Sequence, residues 1–270
     1  TSYRWPFQLH GMIGPSCSIA DVRGDQATIW SGCQGPFRIR AAVASLLKIP
    51  EKNVRVIYRD GSGSYGRLSS DDSPEDAALL SRAVGAPVRI QWSRHDEHGW
   101  EPKGPAQTQS LRAGADDTGK IISWEFTDYS FPWTVASATT LLASEQIGIK
   151  SKSPGQGNGN QGSGEIYAFE NIKVAAEQIP WMQAEPFPLR TSNLRAPGQL
   201  SRTFASETLL NEIAADLGID PIDLRLRYLT EDKRGTDVLQ AVAEKARWQK
   251  RGAPTAKSSG ATATGRGVAM

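Results

Sequence analysis

The sequence predicts an α+β fold, with mixed strands and hairpins first and helices clustered in the second half. Two observations support this prediction. Short β-rich segments, bounded by glycine, aspartate and other turn-forming residues, occupy much of residues 18–130. Apolar residues at helical spacing, accompanied by capping signals, dominate residues 201–248. The order of these elements along the chain therefore favours α+β over an all-helical or all-strand fold.

Two hairpins and two single strands account for the β part. Residues 18–30 form two β-rich runs on either side of a Gly24-Asp25 turn, which is a hairpin signal. Residues 108–130 form a second hairpin, which turns at residues 116–119. Single strands are predicted at residues 54–58 and 88–92.

Five helices are predicted from apolar spacing and capping residues. The first begins at Pro36, and apolar residues at positions 39, 43, 46 and 47 give it one buried face. The second opens at Asp72, followed by an early proline and acid, and extends to about Val84. The later helices are predicted at residues 201–217, at residues 221–228 after an Asp220 cap, and at about residues 236–248.

Composition limits the class of protein. The 270 residues are 39% hydrophobic and 22% charged, which is typical of globular proteins. The 31 basic and 29 acidic side chains give a formal charge of +2, so we predict no nucleic-acid partner. No apolar run reaches the length of a membrane span. Two cysteines are too few for a disulfide scaffold. With only three histidines besides, the sequence does not favour a metal centre built from protein side chains.

We predict one interrupted domain. Residues 1–147 form its first part and residues 166–270 the remainder, joined by a flexible Gly/Ser/Asn loop at residues 148–165 that cannot bury enough apolar area to order itself. Small residues run into apolar ones at residues 264–270, as where a strand begins. We therefore expect the chain to be a fragment that continues into a C-terminal domain. No targeting signal is visible at its start.

A glycine loop at residues 61–67 is the sharpest candidate for chemistry. Gly61, Gly63 and Gly66 follow a predicted strand, and such a loop exposes backbone N–H groups that can form an anion-binding nest. The glycine spacing does not fit a Rossmann fingerprint, and no Lys-Ser or Lys-Thr pair follows as a P-loop requires. The alternative is a flexible surface loop between a strand and a helix.

Two polar side chains are further candidates. Gln34 lies between a strand and a helix start, where its amide can donate to an anion or simply cap the helix. Arg195 precedes Ala196, Pro197 and Gly198 in a rigid turn, where its guanidinium can clamp a planar substrate or bond the carbonyls of the turn. The local sequence leaves both alternatives open at each position.

Other chemistry-bearing residues favour structural roles. His95 and His98 lie in a charge-dense segment that indicates a solvated loop or helix start rather than a metal site. Cys33 neighbours Gln34 but is expected to be buried as a small hydrophobe, and neither it nor Cys17 has a histidine arranged for nucleophilic work. The tryptophans are predicted to anchor the core and interfaces; they include Trp92, Trp100, Trp124, Trp133 and Trp181.

Taken in order, four stretches resemble one family, the molybdenum-cofactor-binding large subunits of the xanthine oxidase family of molybdenum hydroxylases. Residues 10–20 are similar to its strand-entering segment, and residues 29–36 to its glutamine motif. Residues 54–67 are similar to its strand and glycine-rich loop. Residues 194–198, with Glu207 and residues 218–227, are similar to its arginine turn and following helices.

The resemblance implies roles for the candidate residues. The Gln34 amide would hydrogen-bond an oxo ligand of the molybdenum, and Arg195 would face the substrate as the catalytic-site residue in this chain. The backbone of the loop would lie against the pterin and the metal's ligands, at Gly63, Ser64, Tyr65 and Gly66. The family binds molybdopterin, often as the cytosine dinucleotide, and no protein side chain ligates the molybdenum. Its electrons leave through 2Fe-2S clusters, which two cysteines cannot hold, so those clusters are expected on a partner chain.

The loop departs from the usual family pattern, because Ser64 stands at a glycine position and Tyr65 at the aromatic one. This form is most similar to the isoquinoline and nicotinate oxidoreductase branch. That branch implies a small 2Fe-2S subunit, cytochrome c as a possible acceptor, and a periplasmic location slightly favoured over a cytoplasmic one. The family's general-base glutamate lies in a C-terminal region beyond residue 270, so this chain alone is expected to be inactive.

The expected reaction is oxidation of an aldehyde or N-heteroaromatic carbon, with water as the oxygen source. The alternative is a catalytically inactive scaffold or assembly subunit that keeps the fold without the cofactor; Ser64 is compatible with it. A plain glycine-loop nucleotide binder ranks last, because the chain has neither a phosphate lysine nor a Rossmann spacing.

Overall fold

Two four-stranded mixed sheets, each packed with helices, make up the part of the chain that the structure describes. This computed structural model describes residues 1–131, 165–179, 191–251, 260–262 and 265–270. The predicted loop at residues 148–165 therefore lies almost entirely outside the described residues, as do Trp133 and Trp181. The α+β prediction is confirmed.

The first sheet has the strand order β4-β3-β2-β5. Strands β2 (Cys17–Arg23) and β3 (Gln26–Ser31) form the predicted hairpin, and its turn places Gly24 at φ 57°. Strand β4 (Val54–Tyr58) pairs parallel to β3, and β5 (Val88–Gln91) pairs antiparallel to β2. Parallel pairing of β3 with β4 requires a crossover, which the first helix supplies.

Two helices cover this sheet. Helix α1 (Pro36–Leu47) begins at its proline, and its predicted apolar face is buried. Helix α2 (Ser73–Val84) follows a short 3-10 helix at Arg67–Ser70 and ends at Gly85 in the left-handed conformation. The core between the helices and the sheet contains Ala20, Ile29, Cys33, Ile39, Val43, Leu47, Val54 and Ala77. A second short 3-10 helix, Glu51–Asn53, leads into β4.

The second sheet has the order β1-β6-β7-β8. Its centre is the second predicted hairpin, β6 (Gln107–Ala115) and β7 (Ile121–Ser130). The edge strands β1 (Ser2–Trp5), antiparallel to β6, and β8 (Ile172–Gln178), parallel to β7, were not among the predicted strands. Pairing with β6 and β7 defines both strands more than their own alternation does.

Three helices follow in the last third of the chain, as predicted. Helix α4 (Gln199–Asp216) and helix α5 (Pro221–Tyr228) pack with the second sheet around Trp124 and Phe126. Asp220 caps α5 through the N–H groups of residues 222 and 223, as its sequence indicates. Helix α6 (Lys233–Lys245) begins earlier than predicted, because Asp232 accepts the N–H of residue 235 and starts the helix there.

Helix α3 (Arg94–Trp100) connects the two sheets in sequence. Ser93 and Asp96 form a reciprocal capping box at its start, with the Ser93 side chain accepting from the Asp96 N–H. None of the helices in the described part of the chain combines the length and apolar character needed to cross a membrane.

Candidate functional site

The glycine loop leaves β4 and turns sharply into the 3-10 helix Arg67–Ser70. Gly63 and Gly66 take φ values of 100° and 105°, and Tyr65 between them takes φ 55°. Three left-handed residues within four positions give a compact turn, with the N–H of residue 67 donating to the Ser64 carbonyl. A non-glycine residue such as Tyr65 occupies this region at a cost that surrounding contacts must offset.

Three hydrogen bonds connect Gln34, Ser64 and Leu68 in a closed ring. Its backbone N–H donates to the Leu68 carbonyl at 2.9 Å. The Leu68 N–H donates to Ser64 Oγ at 3.0 Å, and Ser64 Oγ donates to Gln34 Oε1 at 2.5 Å. The structure therefore brings together two of the residues that the sequence singled out, Gln34 and Ser64.

Gln34 does not cap α1. The N-cap residue is Gly35, and no side chain accepts a hydrogen bond from the start of that helix. The capping interpretation is therefore wrong, because the Gln34 side chain turns toward the loop instead. Gln34 is exposed, and none of the described residues accepts a hydrogen bond from its Nε2.

The arginine turn packs directly on the glycine loop. A Cβ placed on Gly66 would lie 1.7 Å from the Asn193 carbonyl oxygen, so only glycine fits there. The same carbonyl lies 2.9 Å from His10 Nε2, which fixes the turn from its other side. The Arg195 guanidinium lies over the Tyr65 ring, 5.7 Å from its centroid. Gly66, Tyr65 and Arg195 thus meet at one place.

Arg195 is exposed, and among the described residues its guanidinium forms no ion pair and bonds no carbonyl of its own turn. The alternative of a structural arginine bound to turn carbonyls gains no support from the described contacts. A guanidinium resting on an aromatic face keeps its N–H donors available to a ligand.

A buried charge network lies beneath the loop. Arg67 is fully buried, donates to Glu97 Oε1 at 2.5 Å and to Asp72 Oδ2 at 3.3 Å, and lies over the Trp92 ring at 5.2 Å. Glu97 also accepts the Ser16 N–H at 2.9 Å. Burial lowers the pKa of Arg67, but the carboxylates around it outweigh burial and hold its pKa above the ordinary value.

His10 and Glu101 extend this network toward the arginine turn. The His10 N–H donates to Glu101 Oε1 at 2.8 Å, and Lys103 Nζ donates to the Glu101 carbonyl at 2.9 Å. Burial acts to raise the pKa of Glu101, but its interactions with His10 and Lys103 together lower the pKa further than burial raises it. Arg67, Glu97 and Glu101 together link the glycine loop to α3.

Two buried acids, Asp71 and Glu75, have raised pKa values. Burial raises the pKa of Asp71 to about 6, although Arg67 and the Ser73 N–H act in the opposite direction. Burial raises the pKa of Glu75 well above its ordinary value, with Asp72 and Asp71 adding to the shift. Asp72 occupies the N-cap position of α2, but its side chain bonds Arg67 rather than the helix start.

The local sequence does not reveal this network. It predicts a solvated segment at residues 93–98, which is right for His95 and His98 and wrong for Glu97, which is fully buried. The available signal was the i,i+4 spacing of Glu97 and Glu101, which places both acids on one helix face. Only the fold shows that this face points at Arg67.

The other candidates take structural places. Cys33 is buried as predicted, and burial raises the pKa of its thiol. Trp124 is buried in the core of the second sheet, whereas Trp100 is 59% exposed. Within the described residues, no three His, Cys, Asp or Glu side chains are grouped as metal ligands.

The fold and the site define an α+β unit in which a glycine loop, an amide and a guanidinium meet at one surface. The donors there are neutral or cationic: Gln34 Nε2, the Arg195 guanidinium and the start of α1, whose first turn carries no acid. Such a surface suits an oxygen-rich, anionic ligand.

Comparison with known proteins supports the predicted resemblance. Residues 1–132 match the family model described as molybdopterin cofactor-binding domain. The chain is 37% identical to a subunit of nicotinate dehydrogenase from Pseudomonas putida, over 99% of this chain and 22% of that protein. It is 28% identical to the aldehyde oxidoreductase molybdenum-binding subunit PaoC of Escherichia coli, over 99% of this chain and 35% of that protein.

The fold also agrees with a solved structure. Aldehyde oxidoreductase from Desulfovibrio gigas superposes with a TM-score of 0.70 at 19% identity, covering 92% of this chain and 27% of that one. Residues 1–132 thus match the molybdopterin cofactor-binding domain model, and the predicted resemblance to the xanthine oxidase family is confirmed. The chain spans about a fifth to a third of the length of these relatives.

Proposed function

We propose that this chain is the molybdopterin-binding part of a molybdenum hydroxylase that oxidises an aldehyde or an N-heteroaromatic carbon. The observation that carries the proposal is the meeting of Gln34, Ser64, Tyr65 and Arg195 at the glycine loop, within a chain whose first 132 residues are a molybdopterin-binding family match. Four residues from three separated segments of the chain converge there. A loop that only connects a strand to a helix does not need such an arrangement.

The residues present fit the cofactor. A molybdenum–pterin group presents oxygen and sulfur acceptors and a phosphate, which need hydrogen-bond donors rather than carboxylate ligands. Gln34 Nε2, with no acceptor among the described residues, and the loop backbone at residues 63–66 supply such donors. We assign these residues to the cofactor, which we propose to be the cytosine dinucleotide form.

When bound, the cofactor supplies a two-electron oxidation that adds an oxygen atom from water to the substrate carbon. The residues of this chain bind and orient. The Gln34 amide donates to the cofactor, and Arg195 donates to the substrate from its position over the Tyr65 ring. The rigid packing of Gly66 on residue 193 sets the position of Arg195 relative to the loop.

The substrate is proposed to be planar and to carry a carbonyl or carboxylate oxygen. An exposed guanidinium held on an aromatic ring presents its fork of donors in a plane, which matches such a group. The similarity to a protein named as a nicotinate dehydrogenase subunit supports a heteroaromatic acid over a simple aldehyde.

Electrons are proposed to leave through a small partner subunit that carries 2Fe-2S clusters, with cytochrome c as the acceptor. The general base is proposed to come from a C-terminal region beyond residue 270. A periplasmic site for the assembly remains a prediction from the resemblance.

The test is molybdenum content by elemental analysis and pterin fluorescence after denaturation, on the full complex purified from its native host. Near-stoichiometric metal and pterin, with turnover of nicotinate-like acids or aldehydes and an artificial electron acceptor, are expected. Absence of both, from a host that loads a control molybdoenzyme, contradicts the proposal and favours an inactive scaffold.

A further inference from the structure

We infer that the Ser64 hydroxyl is a positioning group that fixes the orientation of the Gln34 amide, so that Nε2 and not Oε1 is presented to the ligand. This inference rests on the proposed function, since it concerns the same site. It assigns a role to a side chain, whereas the glycine loop was expected to act through its backbone.

The direction of the hydrogen bonds follows from the donors present. The Leu68 N–H can only donate, so Ser64 Oγ is its acceptor at 3.0 Å. The single hydroxyl proton of Ser64 is then left for Gln34, whose Oε1 lies 2.5 Å away. That separation lies in the range of O–H···O bonds and is short for an N–H···O bond. The reversed amide would place an N–H donor, rather than an acceptor, opposite the hydroxyl proton.

The backbone of Gln34 is tied to the same short segment. Its N–H donates to the Leu68 carbonyl at 2.9 Å, so both the main chain and the side chain of Gln34 are hydrogen-bonded to residues 64–68. That segment is itself held from below, because Arg67 is buried in its network of acids. The hydrogen bonds to this supported segment therefore restrict rotation of the Gln34 side chain.

The consequence is that both Nε2 protons are available to the ligand. A glutamine with a free amide populates two orientations, and only one of them donates toward the site. Fixing the orientation in advance removes the free-energy cost of selecting the donating orientation when the ligand binds. This is what preorganisation means at a binding or catalytic site.

The first experiment compares Ser64→Ala with Ser64→Thr in the full complex. The alanine variant is expected to keep its molybdenum and pterin and to lower kcat about tenfold, the rate equivalent of one hydrogen bond. It is also expected to change the EPR spectrum of the partly reduced molybdenum centre. The threonine variant keeps the hydroxyl and is expected to restore both the rate and the spectrum.

Ser81→Ala is the matched control. Ser81 Oγ also accepts one backbone N–H, from residue 22, and donates to one oxygen, at residue 86, but it contacts β2 rather than the loop. Because Ser81 is fully buried, its loss is expected to lower the melting temperature at least as much as Ser64→Ala, without changing the EPR spectrum. Equal spectral changes in both variants would mean that general loosening, not amide orientation, is responsible.

A double-mutant cycle tests whether Ser64 acts through Gln34. In a Gln34→Ala background, Ser64→Ala is expected to change kcat by less than about twofold, because the group it positions is gone. Crystals of the Ser64→Ala complex should show the Gln34 amide reversed or in two orientations. Independent, multiplying effects of the two substitutions overturn the inference, as does a metal-loaded Ser64→Ala variant with wild-type rate and spectrum. A wild-type complex without molybdenum and pterin overturns the proposed function first, and the inference with it.

Discussion

Substitution of Gly66 by alanine is expected to separate the glycine loop from the arginine turn. Gly66 has φ 105° and ψ −21°, a conformation that costs an L-residue about 1–2 kcal/mol. In addition, the new Cβ would lie 1.7 Å from the Asn193 carbonyl oxygen, whereas real Cβ contacts are 3.0 Å or longer. The backbone must therefore move by more than an ångström at the contact.

The Asn193 carbonyl has little freedom to move away. His10 Nε2 holds it at 2.9 Å, and the N–H of the preceding residue, Ser192, donates to the Lys103 carbonyl at 2.9 Å. The combined cost of the backbone strain and the lost packing is expected to be about 3 kcal/mol or more. For a domain of this size, that lowers the melting temperature by at least about 6 °C.

Gly85→Ala provides the matched comparison. Gly85 also has a positive φ, 66°, but an added Cβ meets nothing within 4 Å. This variant is expected to lose about 1 kcal/mol and about 2–4 °C, and to keep its cofactor. Thermal unfolding at a fixed scan rate and molybdenum content, both on the full complex, distinguish the two variants. If Gly66→Ala melts within about 2 °C of Gly85→Ala and keeps its metal, the contact between loop and turn does not position the site.

Three further expectations concern the charges around the loop. Arg67→Met leaves buried carboxylates unpaired and should lower the free energy of unfolding by about 3–5 kcal/mol. Arg112→Met, at an exposed ion pair, should change it by less than about 1 kcal/mol. Denaturant titration compares the two variants, and equal losses would contradict a supporting role for the buried network. Because burial raises the pKa of Asp71 to about 6, its contribution to stability is present at low pH and is lost as pH rises through 6. Wild type should therefore lose about 2 kcal/mol relative to Asp71→Asn between pH 4 and 6, and parallel stability curves would refute this. Tyr65→Leu should raise the substrate KM about two- to fivefold by removing the aromatic face under Arg195, whereas Tyr65→Phe should not; equal KM values in both variants would exclude that contact from substrate binding.

Local sequence signals predicted most of the secondary structure, because the physical cause of each element lies within it. The Gly24 turn, the proline at the start of α1 and the Asp220 cap each act over a few residues. The edge strands β1 and β8 could not be predicted in the same way, since pairing with β6 and β7 defines them more than their own alternation does.

Some residues of the candidate site could be predicted from the local sequence, whereas the contacts between them could not. Gln34 and the glycine loop carry local signals, and the resemblance connected them to Arg195. The Ser64–Gln34 bond and the packing of Gly66 on Asn193 join residues 30 and 127 positions apart, which no local pattern specifies. The exclusion of capping at Gln34 likewise needed the fold, because a polar residue before a helix is compatible with capping or with ligand contact.

The position of molybdenum in crystals of the full complex tests the account most directly. Diffraction recorded on both sides of the molybdenum absorption edge locates the metal without any assumption about its ligands. We expect a single anomalous peak beside the Gln34 amide and the loop at residues 63–66, on the side that Arg195 faces. A peak elsewhere in the complex, or none in a complex that contains stoichiometric molybdenum, would contradict the assignment of this site.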